Sequence, residues 1–346
     1  MPSAFITGIT GQDGSYLTEF LLQKGYTVHG LVRRTSNLHR SRIEHLRSNP
    51  LIYGERLFLH YGDLTDCTTL RRHLIKTAPD ELYHLAGQSQ PGLSFEIPES
   101  TIQETAIATL SLLEILRDLK SPPKTYLAAS SEIFGVPTAW PQTEETPFRP
   151  VNPYGCAKAF SANLARVYRQ AHGLHICVGI AYNHESPRRG EGFVTRKITA
   201  TAARIANGSG EILELGNLST ERDWGYAPEY VEGMWRMLQK TIADDYILAT
   251  GIRTSVRDFA RTAFDCLGIE IAFEEQGLDE VAKDKKTGQI ISRVNPKFFR
   301  PTEAELLIGN SEKARQELGW QPQVTLDKLV KIMVENDIKL ARLQKF

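Results

Sequence analysis

In the run NPYGCAK (152–158) a phenol and an ammonium, Tyr154 and Lys158, stand four residues apart. Four residues is about one turn of helix, so the two side chains share a face. A cation held beside a phenol favours the phenolate and lowers its pKa, which makes a proton acceptor usable near neutral pH. A second group of this kind precedes them. KTYLAASSEIFG (124–135) reads as an apolar strand that ends in hydroxyls and a carboxylate, with Ser130 and Glu132 two residues apart. The elements around these residues decide whether they can meet.

The chain opens with SAFITGITGQDGSYLTEFLLQKGYTVHGLVRR (3–34), which reads as one strand–helix–strand unit. AFIT is a short apolar run of buried-strand type. Gly8, Gly11 and Gly14 follow at three-residue spacing, and the helical pattern after them stops at Gly25. Glycines at a strand-to-helix turn let the backbone approach a pyrophosphate, and the helix N-terminus offers free N–H groups to the anion. This predicts a dinucleotide site. An acidic residue at the end of the second strand would hold a ribose 2′-hydroxyl, whereas arginine suits a 2′-phosphate. Here the strand ends in Arg33 and Arg34, and guanidinium forks fit phosphate. The expectation is NADP rather than NAD.

Alternation continues. RLFLHYGDL (56–64) is a third strand ending in Asp63 and Leu64, where an adenine could be held. CTTLRRHLIKT (67–77) is helical. DELYHLAGQS (80–89) is a fourth strand, and a long helix runs over about 100–119. HICVGIAYNHES (175–186) is a sixth strand, after 124–135. Mostly apolar strands alternating with helices imply a parallel sheet covered on both faces. The fold class is therefore α/β, a Rossmann-type doubly wound parallel sheet. Ligands of such sheets collect beyond the carboxyl ends of the strands, where Ser130, Glu132, Asn183 and His184 lie. From about 190 the pattern loosens. Helices near 195–206, 227–239, 255–268, 311–318 and 325–344 mix with short strands, and 279–301 is turn-rich and basic. The expected organisation is a dinucleotide-binding domain over 1–185 with later segments interwoven, and a smaller substrate lobe mainly over 186–346.

Bulk properties narrow the partners. The 346 residues carry 41 basic and 41 acidic side chains, so net charge gives no reason to expect nucleic acid or an anionic membrane. Cys67, Cys156, Cys177 and Cys266 are scattered without a Cys-x-x-Cys pair, against a zinc or disulfide framework, and a reducing cytoplasm fits. The first residues lack a secretory pattern, and no window of about 18 apolar residues spans a membrane.

Longer words carry a resemblance. Gly-x-x-Gly-x-x-Gly and Tyr-x-x-x-Lys are similar to those of extended short-chain dehydrogenases/reductases. GITGQDGSYL (8–17), NHESPRRG (183–190), FVTRKIT (193–199), LGNL (215–218), RDWGYAPEYVE (222–232) and FFRP (298–301) closely resemble the GDP-mannose 4,6-dehydratase family, in the same order along nearly the whole chain. The resemblance implies bound NADP and a GDP-sugar, turned from GDP-mannose into GDP-4-keto-6-deoxymannose without net use of cofactor. By resemblance, Tyr154 is the base at the sugar 4-hydroxyl, Lys158 and Ser130 assist it, and Glu132 removes the C5 proton. Cofactor positions are Gly8, Ile9, Thr10, Gly11, Gln12, Asp13, Gly14, Arg33, Asp63, Leu64, Leu85, Ala86, Gly87, Gln88, Ser89, Lys158, His184 and Arg189. Asn183, Thr195, Lys197, Gly216 and Arg222 match positions around the nucleotide sugar, and Arg196, Lys197 and Arg222 offer cations for a diphosphate. A homodimer or homotetramer is implied, with RRTSNLHRSR (33–42) reaching a neighbour's cofactor.

The chemistry suits these residue types. Oxidation at C4 acidifies the neighbouring C5–H, a carboxylate removes that proton as the 6-hydroxyl leaves, and hydride returns at C6. The phenol serves C4, so a second base is needed. Departures from the family are Gly87, Gln90, Pro91, Ser100, Ser130 and Gly192, where it commonly has Ala, His, Val, Tyr, Thr and Asn. Smaller side chains near the sugar could admit a GDP-manno-heptose. A GDP-sugar epimerase or 4-ketoreductase would lack Glu132, and a non-catalytic NADP-binding sensor would have lost Tyr154 or Lys158.

Overall fold

The computed structural model describes residues 1–34, 40–299, 302 and 306–343. The middle of RRTSNLHRSR and the last two residues of FFRP lie outside them. The strands, in chain order, are β1 (Ser3–Thr7), β2 (Thr27–Val32), β3 (Leu57–Tyr61), β4 (Glu81–His84), β5 (Lys124–Ser130), β6 (Ile176–Ala181), β7 (Asn183–Glu185), β8 (Leu213–Leu215), β9 (Glu221–Tyr226) and β10 (Asp245–Leu248). They continue as β11 (Arg253–Ser255), β12 (Ile271–Glu274), β13 (Val281–Asp284) and β14 (Ile290–Val294). Seven of them form one parallel sheet in the order β10-β6-β5-β4-β1-β2-β3. The order reverses between β1 and β4, which opens a crevice at their carboxyl ends.

Alternate residues of each strand feed different cores, as the two-residue period requires. Phe5, Leu82, Leu127 and Val178 join one core with the alanine-rich face of helix Pro153–His172 and with Leu112, Leu113 and Leu116 of helix Ala108–Asp118. Ala4, Ile6, Tyr83, Tyr126 and Cys177 join the other, against helices Gln12–Gln23 and Ala227–Leu238. Residues 227–248 therefore return from the second half of the sequence to cover and extend the first sheet.

A third core holds helices Val194–Ala206, Val256–Asp265 and Leu326–Leu343 against the sheet β12-β13-β14-β8. The stretch 279–301, read from sequence as turn-rich, contains the antiparallel pair β13 and β14. Its glycine and charged residues form the connecting turn, where Asp284 Oδ1 accepts from the Lys286 N–H at 2.7 Å. The expected helix near 100–119 runs from Pro98 to Asp118 but widens by one residue per turn over Gln103–Ile107.

Full or partial burial holds several histidines below their ordinary pKa. His84, 3% exposed at the end of β4, lies 2.9 Å from Thr7 Oγ1 and 3.4 Å from Thr109 Oγ1. Thr109 donates to the Thr105 carbonyl, so it can only accept from His84 Nε2–H, and Thr7 donates to Nδ1. Burial, with a smaller push from Lys158, takes the His84 pKa down to about 3. Burial likewise lowers His29 and His175, and takes His60, which also faces His29, His73 and Lys76, down to about 4. Between these values and the ordinary one near 6.5 the unfolded chain binds more protons, so stability is full above that pH and falls as pH drops. His184, raised by its neighbours, runs the opposite way. Denaturation midpoints are expected to fall from pH 7 to pH 5. A His84→Gln variant should flatten the slope by up to about 1.4 kcal/mol per pH unit; an unchanged slope would show that His84 is not titrating.

Candidate active site

One cavity of about 730 Å³ opens at the carboxyl ends of β4, β5 and β6 and continues between the two lobes. Ser130, Glu132, Tyr154 and Lys158 all line it. The parallel pairing of β4, β5 and β6 sets the depth of the strand ends. The helix Pro153–His172 begins where the loop after β5 returns, and its first turn delivers Tyr154 and Lys158 to that edge.

Tyr154 is 7% exposed, and the Ser130 side chain lies close enough to its phenol to favour the phenolate. The Lys158 ammonium lies 5.8 Å from the centre of the Tyr154 ring and donates to the Ala128 carbonyl at 2.7 Å. Sequence spacing predicts a lowered phenol pKa; the structure gives the reverse. Burial dominates and raises Tyr154 to about 12, Ser130 works against this, and the Glu132 charge adds to it. Lys158 is spent on a backbone carbonyl rather than on the phenol, and burial brings its own pKa down to about 8, with Asp13 opposing.

Glu132 is 6% exposed and accepts from Asn152 Nδ2 at 2.8 Å through Oε2, while its own N–H donates to Ser130 Oγ at 3.3 Å. Asn152 was not singled out in the sequence. The signal was present, since an Asn before a Pro is a strong helix start, but its second contact is not local.

The glycine turn sits where β1 meets helix Gln12–Gln23. A Cβ on Gly14 would stand 2.3 Å from the Gly8 carbonyl oxygen, so only glycine lets the helix start pack onto the strand end. Asp13 and His184 meet here, His184 Nε2 at 2.9 Å from Asp13 Oδ2. Burial opposes the Asp13 charge, but His184 and hydrogen bonds from His184 and Gln12 outweigh it and hold the carboxyl at about 2. The same pairing raises His184 against its burial. Gln12 donates to the His184 carbonyl and accepts from Ser186 Oγ, tying the word GITGQDG to the word NHES.

Of the other residues expected around a cofactor, Asp13, Leu85, Gly87, Gln88, Ser89, His184 and Arg189 line the cavity. Gly8, Ile9, Thr10, Gly11, Gln12, Gly14, Arg33, Asp63, Leu64 and Ala86 do not. Ile9 is fully buried core, and Leu64 is 8% exposed. Arg33 stands past the end of β2 with a side chain 64% exposed, 3.8 Å from Glu104. Asp63, past the end of β3, accepts from the N–H and hydroxyl of Thr65. Asn183, Thr195, Lys197, Gly216 and Arg222 all line the cavity on the side of the second lobe. There Lys197 Nζ lies 3.4 Å above the Phe298 ring, Gly216 abuts Phe298, and Thr195 donates to Glu185 at 2.5 Å. Arg196 is a correction: it faces away from the cavity, buried, with Nε 3.0 and 3.1 Å from the two Asp337 oxygens. Among the departures, Gly87, Gln90, Pro91, Ser130 and Gly192 line the cavity, whereas the exposed Ser100 donates to Glu104 outside it.

A parallel sheet with a glycine turn after its first strand, and a Tyr-x-x-x-Lys helix delivered beyond its fifth, defines an extended short-chain dehydrogenase/reductase. Comparison with known proteins narrows this. The chain belongs to the GDP-mannose 4,6 dehydratase family, whose family model matches residues 5–333. It is 48% identical to a GDP-mannose 4,6 dehydratase of Drosophila melanogaster over 98% of this chain and 87% of that one. It is 49% identical to GDP-mannose 4,6 dehydratase 2 of Caenorhabditis elegans over 97% of this chain and 89% of that one. The fold is that of dTDP-glucose 4,6-dehydratase from Bacillus anthracis, with a TM-score of 0.80 at 19% identity, covering 98% and 97% of the two chains.

Proposed function

We propose that the protein converts GDP-mannose to GDP-4-keto-6-deoxymannose with NADP as a recycled cofactor. The observation that carries this reading is the convergence of Ser130, Glu132, Tyr154 and Lys158 on one cavity that also reaches Lys197 and Arg222. The glycine turn fits a dinucleotide, because helix Gln12–Gln23 starts at Gly11 with no side-chain cap on its N–H groups. Held there, a nicotinamide cofactor would supply a hydride acceptor for oxidation at C4 and the hydride for reduction at C6.

The protein's own residues manage the protons. Tyr154 takes the proton of the 4-hydroxyl, with Ser130 beside the phenol, as its own proton passes on to Lys158 in the neutral form that a pKa of about 8 makes accessible. Glu132 removes the C5 proton once C4 is a ketone and passes it to the 6-hydroxyl, which departs as water. Lys197 and Arg222 offset the diphosphate charge. The net change is loss of one water, which mass measurement of the product after incubation with GDP-mannose tests directly. An epimerised product of unchanged mass would overturn the reading. A GDP-manno-heptose is the second candidate substrate, favoured by Gly192, which forms part of the cavity wall without a side chain. The same assay with that sugar decides between them.

The choice of NADP rests on Arg33 and Arg34, both exposed past β2. Cofactor released by denaturing the purified protein should be NADP(H), and Arg33→Asp should lower its retention. Mainly NAD, or unchanged retention, would count against a 2′-phosphate contact. We read the protein as a homodimer or homotetramer, in keeping with Phe160 and Val167, 43% and 53% exposed on helix Pro153–His172. Light scattering showing only monomer at micromolar concentration would refute this.

A further inference from the structure

We propose that Asn152 is a positioning residue that holds the Glu132 carboxylate for proton removal while capping the helix that presents Tyr154. The inference rests on the reading of Glu132 as the C5 base. Asn152 is 4% exposed, and its side chain works at both ends. Oδ1 accepts from the Gly155 N–H at 2.7 Å, and Nδ2 donates to Glu132 Oε2 at 2.8 Å. The orientation is forced: a backbone N–H can only donate, so the amide oxygen faces Gly155 and the amide nitrogen must face the carboxylate. A buried carboxylate needs donors, and a donor to its ionised form keeps it a base.

The backbone repeats the connection. A Cβ on Gly155 would stand 2.6 Å from the Glu132 carbonyl oxygen, so the first turn of the helix rests directly on the Glu132 main chain. Pro153, at the first helical position, has no N–H to satisfy there. Asn152, Pro153, Tyr154 and Gly155 therefore fix the spacing between the two proton-transfer groups as one unit.

Capping alone would not demand asparagine. Serine and aspartate cap as well. Serine is too short to reach Glu132 as well, and aspartate offers a second negative charge in place of the donor. This separates the two roles. Asn152→Ser should keep the melting temperature close to that of the unaltered protein, whereas Asn152→Asp, which buries a second carboxylate against Glu132, should lower it. Water loss from the sugar nucleotide should nevertheless slow about 10- to 100-fold, the scale of a misplaced catalytic group. Reduced-cofactor absorbance on adding substrate should persist, because C4 oxidation does not use Glu132. Asn152→Asp should also change the pH profile of kcat, since it sets a second carboxylate against Glu132. Asn152→Ser carries the test if Asn152→Asp folds poorly. Folded variants with unaltered kcat and pH profile would overturn the proposal while the C5 role of Glu132 stands. If the unaltered protein removes no water from any GDP-sugar, that role fails and this proposal with it.

Discussion

Tyr154→Phe is expected to lower turnover by roughly 10²–10⁴, the range for loss of a general base. The substitution removes one oxygen from a side chain that is already 7% exposed, so the packing of helix Pro153–His172 is kept. What is lost is the phenol beside Ser130, the group proposed to take the proton of the sugar hydroxyl. Reduced-cofactor absorbance should not appear on adding substrate, because oxidation at C4 is the step that fails. With the phenol at about 12 and Lys158 at about 8, a standing phenolate is not the resting state. On the proposed reading Tyr154 relays a proton that Lys158 takes up. Turnover that survives in Tyr154→Phe with normal cofactor reduction would assign the C4 proton to another group.

Glu132→Gln should fail at a different step. The amide keeps the size of the side chain, and its oxygen can still accept from Asn152 Nδ2, so the turn after β5 should hold its place. The base is gone, however. Dehydration should fall by a similar factor, roughly 10²–10⁴, while C4 oxidation persists and shows as reduced cofactor. Solvent deuterium should fail to enter C5. Near-normal water loss in this variant would remove Glu132 from the mechanism even with fold and cofactor intact. The two variants together separate the phenol step from the carboxylate step, which a single activity measurement cannot do.

Much of this was legible in the sequence because it is local. The apolar run 4–7, the glycines after it and the helical spacing beyond fix β1, its turn and helix Gln12–Gln23 from neighbouring residues alone. The spacing of Tyr154 and Lys158 follows from helical pitch, and Asn152–Pro153 marks where that helix starts. The ends of β5 and β6 place Ser130, Glu132 and Asn183 at the cavity because parallel strands present their carboxyl ends together.

What local pattern could not decide is which distant groups arrive beside each side chain and how much water they exclude. Arg196 looked like a cation for a diphosphate until Asp337, 141 residues away, took it into a buried pair. The contact of Asn152 with Glu132 spans 20 residues and depends on the loop between β5 and the helix folding back. Strand β10 completes the first sheet from within the later half of the chain, where its four residues carry no mark of their destination. The direction of the Tyr154 pKa was set in the same way. The Lys158 charge is written in the sequence, but the fold directs it to the Ala128 carbonyl, and the desolvation that raises the phenol exists only once strands and helices close around it.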